Sequence, residues 1–121
     1  MGYYTNYDLS WDIPDEYPMN EEETADAIAN YFGNLPYWRD GGYDFTGSDI
    51  FIPEAKWYDY QDDMFMLSRF FPEITFHLWF DGDDWDDKGV EHWENGRYQH
   101  CRAEIPPFDP QKMTEYHPDT T

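Results

Sequence analysis

The stretch from residue 74 to residue 105 contains the pattern that most restricts how the chain can fold. Asn95-Gly96 separates two runs that read as β-strands, and Asn and Gly are the residues that best tolerate the positive φ angles of a type I′ turn. A two-residue turn also sets the register of its strands, so Trp93 is predicted to face Tyr98 as an aromatic cross-strand pair. These residues therefore predict a β-hairpin.

Immediately before the hairpin, residues 74–81 alternate between apolar and polar side chains. A period of two indicates a strand with one buried face, so this run and the hairpin predict a three-stranded antiparallel meander. The second face of the meander is expected to be unusually aromatic. Its predicted members are Trp79, Trp93, Tyr98, His77 and His100.

The N-terminal half of the chain predicts one long strand and the first helix. Residues 3–13 alternate throughout, which indicates a half-buried strand that is central or near-central in the sheet. A helix is predicted near residues 20–32, because Asn20 and Glu23 form a capping pattern. A second helix is predicted near residues 60–71, where apolar side chains recur at helical spacing.

The remaining segments complete an α+β plan. Residues 35–47 predict a loop or irregular hairpin, and residues 49–57 predict an edge or bulged strand because Pro53 interrupts them. The fold class is two helices on one face of an antiparallel sheet, most simply ferredoxin-like with an added C-terminal β-hairpin. We expect a single domain over residues 1–105 and an extended or disordered tail over residues 106–121, which carry four prolines.

The charge of the chain is extreme for a folded protein. It has 27 acidic and 7 basic residues, a formal net charge of −20, yet 21% of its residues are aromatic. Disordered chains of this acidity are poor in aromatic residues, so the composition predicts a folded domain with an acidic surface. Repulsion among these charges destabilises the compact state. A binding function, solubility or adaptation to salt would explain why the chain carries so much charge.

The sign of the charge restricts the partners. Nucleic acid and anionic membrane surfaces would repel the chain, whereas a basic protein would attract it. We therefore expect no direct nucleic-acid binding, because aromatic single-strand platforms also need a basic groove. Residues 1–4 lack a signal-peptide pattern, no apolar run approaches membrane-spanning length, and Cys101 has no second cysteine to pair with, which together predict a cytoplasmic protein.

No catalytic motif is visible in the sequence, so we expect neither an enzyme nor a cofactor. A Gly-rich phosphate loop, a nucleophile elbow and a zinc-protease motif are all missing. The acidic run at residues 81–89 departs from a calcium loop, because Lys88 stands where the register beginning at Asp84 needs a ligand. The 4 histidines lack metal-binding spacing and are predicted to be ordinary sheet residues.

Several short motifs give the chain a resemblance to a group of known proteins. They are Gly2-Tyr3-Tyr4-Thr5, Lys56-Trp57-Tyr58-Asp59, Asp63-Met64, Leu67-Ser68, Phe71-Pro72 and Asn95-Gly96. Over residues 1–105 the chain resembles small phage- and prophage-encoded proteins of unknown function, whose predicted fold is ferredoxin-like. The resemblance implies a phage source and a place in the host cytoplasm. It also implies a role that is common among small acidic phage proteins, which is to inhibit host enzymes or defence systems, as anti-CRISPR proteins and nucleic-acid mimics do.

The acidic turn after residue 80 is the predicted partner-binding element. Its five carboxylates repel one another and gain nothing from helix capping, and a basic groove on a partner would relieve that repulsion. Together with the aromatic face, the predicted binding residues are Asp81, Asp83, Asp84, Trp85, Asp86, Asp87, Trp79, Trp93 and Tyr98. The expected partner is a basic, nucleic-acid-handling host protein. Alternatives for the aromatic face are a homodimer contact or cover by the tail.

The competing hypothesis is a non-inhibitory phage accessory or assembly module. In that case the acidity serves solubility, and the acidic turn is an exposed loop with bound counterions. The two hypotheses differ in surface layout, because a nucleic-acid mimic needs its carboxylates in rows or patches, whereas a solubility shell would be uniform.

Overall fold

The computed structural model describes residues 4–82, 87–104 and 106–118, and they form a six-stranded sheet with two α-helices. The elements in chain order are β1 (Thr5–Asp12), α1 (Glu21–Gly33), β2 (Asp44–Phe45), β3 (Ile50–Ala55), α2 (Tyr60–Phe70), β4 (Thr75–Gly82), β5 (Lys88–Glu94) and β6 (Arg97–Arg102). Short 3-10 turns occur at Pro36–Trp38 and Pro110–Lys112.

The strands lie in the order β2-β3-β1-β4-β5-β6, and every neighbouring pair is antiparallel. The first four strands and both helices have the ferredoxin-like connection, with β1 between β3 and β4. The hairpin β5–β6 extends the sheet beyond β4. The predicted fold class, including the added hairpin and the central position of the first strand, is confirmed.

Both helices pack on one face of the sheet because each presents a single apolar stripe. On α1 the stripe contains Ile28 and Phe32, and on α2 it contains Met64 and Leu67, all without exposed surface. Asn20 caps α1 as predicted, since its side chain accepts a hydrogen bond from the Glu23 backbone N–H at 2.8 Å. No helix in the described part of the chain is long and apolar enough to cross a membrane.

The segment between α1 and β3 contributes an aromatic group to the core. Trp38, in the first 3-10 turn, stacks on Phe32 with ring centres 5.3 Å apart and meets the edge of Trp57 at the same distance. The Trp57 indole N–H donates to Asp63 at 2.7 Å. Burial raises the pKa of Asp63, and this hydrogen bond acts against the increase. The predicted loop is therefore part of the packing of the domain.

The register between β4 and β5 corrects one prediction about the sheet faces. Phe76 pairs with Trp93 and His77 pairs with His92, so Trp93 lies on the face that carries the helices. Tyr98 and His100 follow onto the same face because they pair with Trp93 and Glu91. The prediction that Trp93, Tyr98 and His100 share a face with Trp79 is wrong. A one-residue difference in register exchanges the two faces, and the connection between β4 and β5 is not a two-residue turn whose chemistry would set it.

Residues 106–118 continue beyond the sheet. All of them are exposed except Asp109, which accepts a hydrogen bond from the Gln111 backbone N–H at 3.0 Å. The division into a domain over residues 1–105 and a tail over residues 106–121 stays a prediction.

A buried carboxylate joins α2 to the hairpin. Glu91 has no exposed surface and accepts hydrogen bonds from the Tyr60 hydroxyl at 3.0 Å, the Gln61 amide at 3.1 Å and the Trp93 indole at 3.0 Å. Nδ1 of His100 lies 2.7 Å from the same carboxylate. Burial, together with the negative charge of Glu91, raises the pKa of Tyr60 above its ordinary value, so this hydroxyl keeps its proton and remains a donor.

We expect Glu91→Ala to lower the free energy of unfolding by about 2–5 kcal/mol, because each buried donor left without an acceptor costs about 1–3 kcal/mol. Urea unfolding followed by tryptophan fluorescence measures the loss. The matched control is Glu104→Ala, which removes an exposed carboxylate. Equal stability of the two variants would show that the Glu91 cluster does not hold α2.

The turn between β5 and β6 has the predicted type I′ geometry. Asn95 and Gly96 have φ angles of +47° and +77°. The backbone N–H of Gly96 donates to Ser68 Oγ at 2.9 Å, which ties the turn to α2. A Cβ atom at Gly96 would lie 2.8 Å from Cδ of Arg69 and 3.1 Å from Cε1 of Phe65, so α2 also leaves little room for a side chain.

We expect Gly96→Val to lower the free energy of unfolding by roughly 1–2 kcal/mol from backbone strain, with a further loss from crowding against α2. The control is Gly47→Val. Gly47 also has a positive φ angle, +98°, but its Cβ would meet nothing within 4 Å. The difference between the two variants in chemical denaturation measures the crowding, and a negligible loss in Gly96→Val would exclude the strained turn.

Candidate functional site

The sheet has one face that neither helix covers, and we call it the open face. Alternate residues of the strands point onto it, because side chains along a strand alternate between the two faces. They include Asn6, Asp8, Ser10 and Asp12 from β1, Asp44 from β2, Phe51 from β3, Thr75, His77, Trp79 and Asp81 from β4, Lys88, Val90, His92 and Glu94 from β5, and Arg97, Gln99 and Cys101 from β6.

Carboxylates and aromatic rings alternate in a row across four strands of the open face. The pairing places Asp44 opposite Phe51, Phe51 opposite Asp8, and Asp8 opposite Trp79. The rings of Phe51 and Trp79 are 40% and 52% exposed, which is unusual for large apolar side chains. We call these four residues the Asp44–Trp79 row. Alternating rings and carboxylates suit a basic side chain, which can contact a ring face and pair with a carboxylate at once.

Asp8 is the least solvated carboxyl of this row. Its Oδ1 atom is buried and has no hydrogen-bond partner among the described residues. Burial first, and then the neighbouring carboxyl of Asp49, raise the pKa of Asp8 from 3.8 to about 6. Asp49 is held in place by the Thr46 hydroxyl, which donates to it. A cation placed beside Asp8 and Asp49 would relieve the repulsion between them.

The raised pKa predicts a pH dependence of stability. Folded Asp8 keeps its proton up to about pH 6, whereas an unfolded Asp loses it near 3.8, so this group contributes stability at low pH that is lost as the pH rises through this window. We expect Asp8→Asn to be more stable than the wild type at about pH 7.5, with a smaller advantage at about pH 4.5. Urea midpoints at both pH values measure the change.

Asp15→Asn is the control for that experiment, because it removes one charge from the exposed loop after β1 and leaves the Asp8–Asp49 pair intact. The proposed repulsion between Asp8 and Asp49 would be contradicted if the gain in stability of Asp8→Asn did not increase with pH. It would also be contradicted if Asp15→Asn gave the same gain.

A chain of hydrogen bonds crosses the open face beside the Asp44–Trp79 row. Nε2 of His77 lies 2.7 Å from Oδ2 of Asp12, and Nδ1 of His77 lies 2.7 Å from Nδ1 of His92. If a neutral His77 donates to Asp12 through Nε2, its Nδ1 accepts from Nδ1 of His92, which leaves Nε2 of His92 as an acceptor. Asp12 therefore fixes the orientation of both rings.

A shallow cleft of about 440 Å³ adjoins His92. Thr75, Glu94, Arg97 and Gln99 also line it. The arrangement offers a base, but within the part of the chain that the structure describes no nucleophile is hydrogen-bonded to His92, and no three acidic, histidine or cysteine side chains are placed to hold a metal ion. Asp12, His77 and His92 thus form a hydrogen-bonded group on the open face beside this cleft.

Basic residues are distributed unevenly around the open face. On the β5–β6 side of this face, Lys88 lies 3.7 Å from Asp81 and Arg97 lies 3.7 Å from Glu94. Arg102, whose pairing with Gly89 places it on the opposite face of β6, lies 3.0 Å from Asp87. By contrast, residues 4–38, which include β1 and α1, contain eight acidic residues and no Lys, Arg or His.

The acidic side continues into a concave region at the end of β1. Asp12, Glu21 and Glu22 line a cleft of about 510 Å³ together with the ring of Trp11. Residues 4–38 hold only eight of the 27 acidic residues, so the surface charge is uneven because of where the basic residues lie and not because the carboxylates are grouped.

The structure brings together only some of the predicted binding residues. Trp79 and Asp81 lie on the open face, but Asp81 is already paired with Lys88. Trp93 is buried under α2 and stacks on Tyr98, with ring centres 4.7 Å apart, on the other face. The predicted residues Asp83, Asp84, Trp85 and Asp86 lie outside the described residues.

Sequence reasoning missed the residues that now define the site. In the sequence, Asp8 and Asp12 are only the polar positions of an alternating strand. Phe51 lies in β3 and Asp49 directly precedes that strand, so both are about forty residues away in the chain. Residues 49–52 read Asp-Ile-Phe-Ile, and a run of three apolar residues gives no signal that Phe51 faces away from the core. The histidine chain needs the register of three strands and had no signal in the sequence.

A scan against models of protein families finds no match, and neither a search of curated proteins nor a search of solved structures finds one.

Proposed function

We propose that this protein binds a basic protein at its nucleic-acid site and excludes nucleic acid from it. The observation that carries the proposal is the Asp44–Trp79 row, in which two exposed rings alternate with carboxylates on a face without helices. A purely solubilising surface has no need of exposed rings between its carboxylates, since such rings lower solubility.

Charge accounts for the choice of partner. A formal net charge of −20 steers a basic protein toward the chain and repels nucleic acid. Residues 4–38, which contain eight acidic residues and no Lys, Arg or His, add to this negative field. The five aspartates between residues 81 and 87 would add to the same attraction.

The exposed rings of Phe51 and Trp79 would supply binding energy in addition to the attraction between charges. Exposed ion pairs contribute little on their own, whereas Trp and Arg often dominate the binding energy of protein interfaces. Arg or Lys side chains of the partner would lie over Phe51 and Trp79 and pair with Asp8 and Asp44. Asp12 is four residues from Asp8 on the same strand, about 13 Å away, and would reach a second basic side chain.

In its specific form the proposal is an inhibitor that a phage supplies against a host nucleic-acid-handling or defence protein, of the anti-CRISPR or another counter-defence type, acting in the host cytoplasm. The resemblance in sequence motifs supports this form. The second candidate is an accessory or assembly module whose acidity serves solubility, and it would bind its partner without competing with nucleic acid.

The test is to capture partners from a bacterial lysate at low and high salt and to measure the affinity of the purified partner with and without its DNA or RNA. We expect Trp79→Ser to weaken binding by roughly 30-fold, the effect of a hot-spot residue worth about 2 kcal/mol. We expect nucleic acid to compete, and raised salt to weaken binding further.

The control is Tyr37→Ser, which removes a ring of similar exposure, 48%, in the 3-10 turn after α1. A variant with the five aspartates between residues 81 and 87 changed to Asn measures the share of the acidic turn. Unchanged affinity in Trp79→Ser would exclude the open face, and a partner that binds nucleic acid and this protein simultaneously would favour the accessory module.

A further inference from the structure

The two helices form a second uncovered surface on the opposite side of the molecule. A groove of about 680 Å³ lies between them, and we call it the helix groove. Its apolar lining includes Ala27, Tyr31, Leu35, Met66, Phe70 and Phe71.

The outward side of α2 has apolar residues that the core does not use. Met64 and Leu67 fill the core, while Met66 and Phe70 remain 44% and 63% exposed. Met66 and Phe70 are one helical turn apart, so they form a second stripe next to the buried one. Phe70 also packs on Tyr31 of α1, with ring centres 4.6 Å apart. A contiguous exposed apolar surface on a chain this acidic marks an interaction site.

Carboxylates flank this apolar floor on both helices. None of the residues that line the helix groove is charged. Residues four apart on a helix lie one above the other, so Asp26 continues the line of Asn30 on α1, and Asp62 continues the line of Met66 on α2. Arg69 lies over the ring of Phe65 and, with Tyr31, Met66 and Phe70, lines a depression beside the groove. An occupant with an apolar centre and basic flanks would match this pattern.

We infer that the helix groove binds an amphipathic, basic helix of a partner protein. The apolar side of that helix would cover Tyr31, Met66 and Phe70, and its Lys or Arg residues would reach Asp26 and Asp62. Helices commonly dock in this manner, and methionine side chains adapt to such ligands because they are flexible and polarizable. The inference concerns a different surface from the open face and does not depend on the proposed function.

Two other occupants fit less well. A second copy of the chain would bring two net charges of −20 together, and the first turn of its α1 is itself acidic. The chain's own residues 106–118 hold Phe108, Met113 and Tyr116, each at least 70% exposed, but include one basic residue, Lys112, among acidic ones.

The probe is a synthetic peptide of about eighteen Leu and Lys residues, arranged so that a helix has one apolar face. A scrambled peptide of the same composition, without that face, measures attraction by charge alone. We expect calorimetry at about 0.15 M salt to give at least tenfold tighter binding of the amphipathic peptide. Phe70→Ser combined with Met66→Ser should remove most of this preference.

Phe108→Ser combined with Met113→Ser is the matched control, because it removes the same two residue types from exposed positions in residues 106–118. It should leave peptide affinity unchanged. A second test leaves the apolar lining of the helix groove unchanged. Asp26→Asn combined with Asp62→Asn should weaken binding of the amphipathic peptide about threefold or more. Circular dichroism checks that each variant is folded.

Equal binding of both peptides, or undiminished preference in the Phe70 and Met66 variant, would overturn the inference. So would sedimentation of the wild type as a dimer that Phe70→Ser dissociates, since a second copy would then be the occupant. Tighter peptide binding by the Phe108 and Met113 variant would overturn it in favour of the chain's own residues 106–118.

Discussion

The arrangement of the whole domain depends on the buried carboxylate of Glu91. An ionised group without exposed surface is tolerated only where donors replace its lost hydration, and Tyr60, Gln61, Trp93 and His100 surround this one. Because two of these donors lie in the first turn of α2 and the other two lie on β5 and β6, the cluster sets how α2 sits on the sheet. An apolar contact would allow α2 to rotate, whereas directed hydrogen bonds do not.

The position of α2 has consequences for both sides of the molecule. In this position α2 buries Met64 and Leu67 in the core and leaves Met66 and Phe70 exposed beside α1. Since α1 and α2 both lie on one side of the sheet, the other side remains open. The molecule thus presents an apolar groove with acidic flanks on one side and a row of rings and carboxylates on the other, and the two surfaces suit basic partners of different shape.

Local patterns predicted the elements of the fold well and their mutual placement less well. The alternation of residues 3–13 and the turn at Asn95-Gly96 act within a few residues, and both predictions are confirmed. The prediction for Trp93 was wrong because the face on which it lies depends on the register between β4 and β5, and no local pattern sets that register. For the same reason, Glu91 reads as one more polar strand residue, and its burial becomes evident only when α2 is placed above it. The pairing of Asp8 with its neighbours joins strands that are distant in the chain.

The outer strand β6 shows where the few basic residues matter most. The other outer strand, β2, has only two residues, so β6 is the longer row of unpaired backbone groups in the described sheet. Unprotected strands at a sheet edge can recruit further copies and begin a fibril. Because side chains alternate along a strand, Arg97 and Arg102 lie on opposite faces of β6, so a further copy joined at this edge would meet a guanidinium on each face of the sheet. Charged side chains at both ends of a short outer strand oppose such pairing, so two of the few basic residues of this acidic chain protect the edge of its sheet.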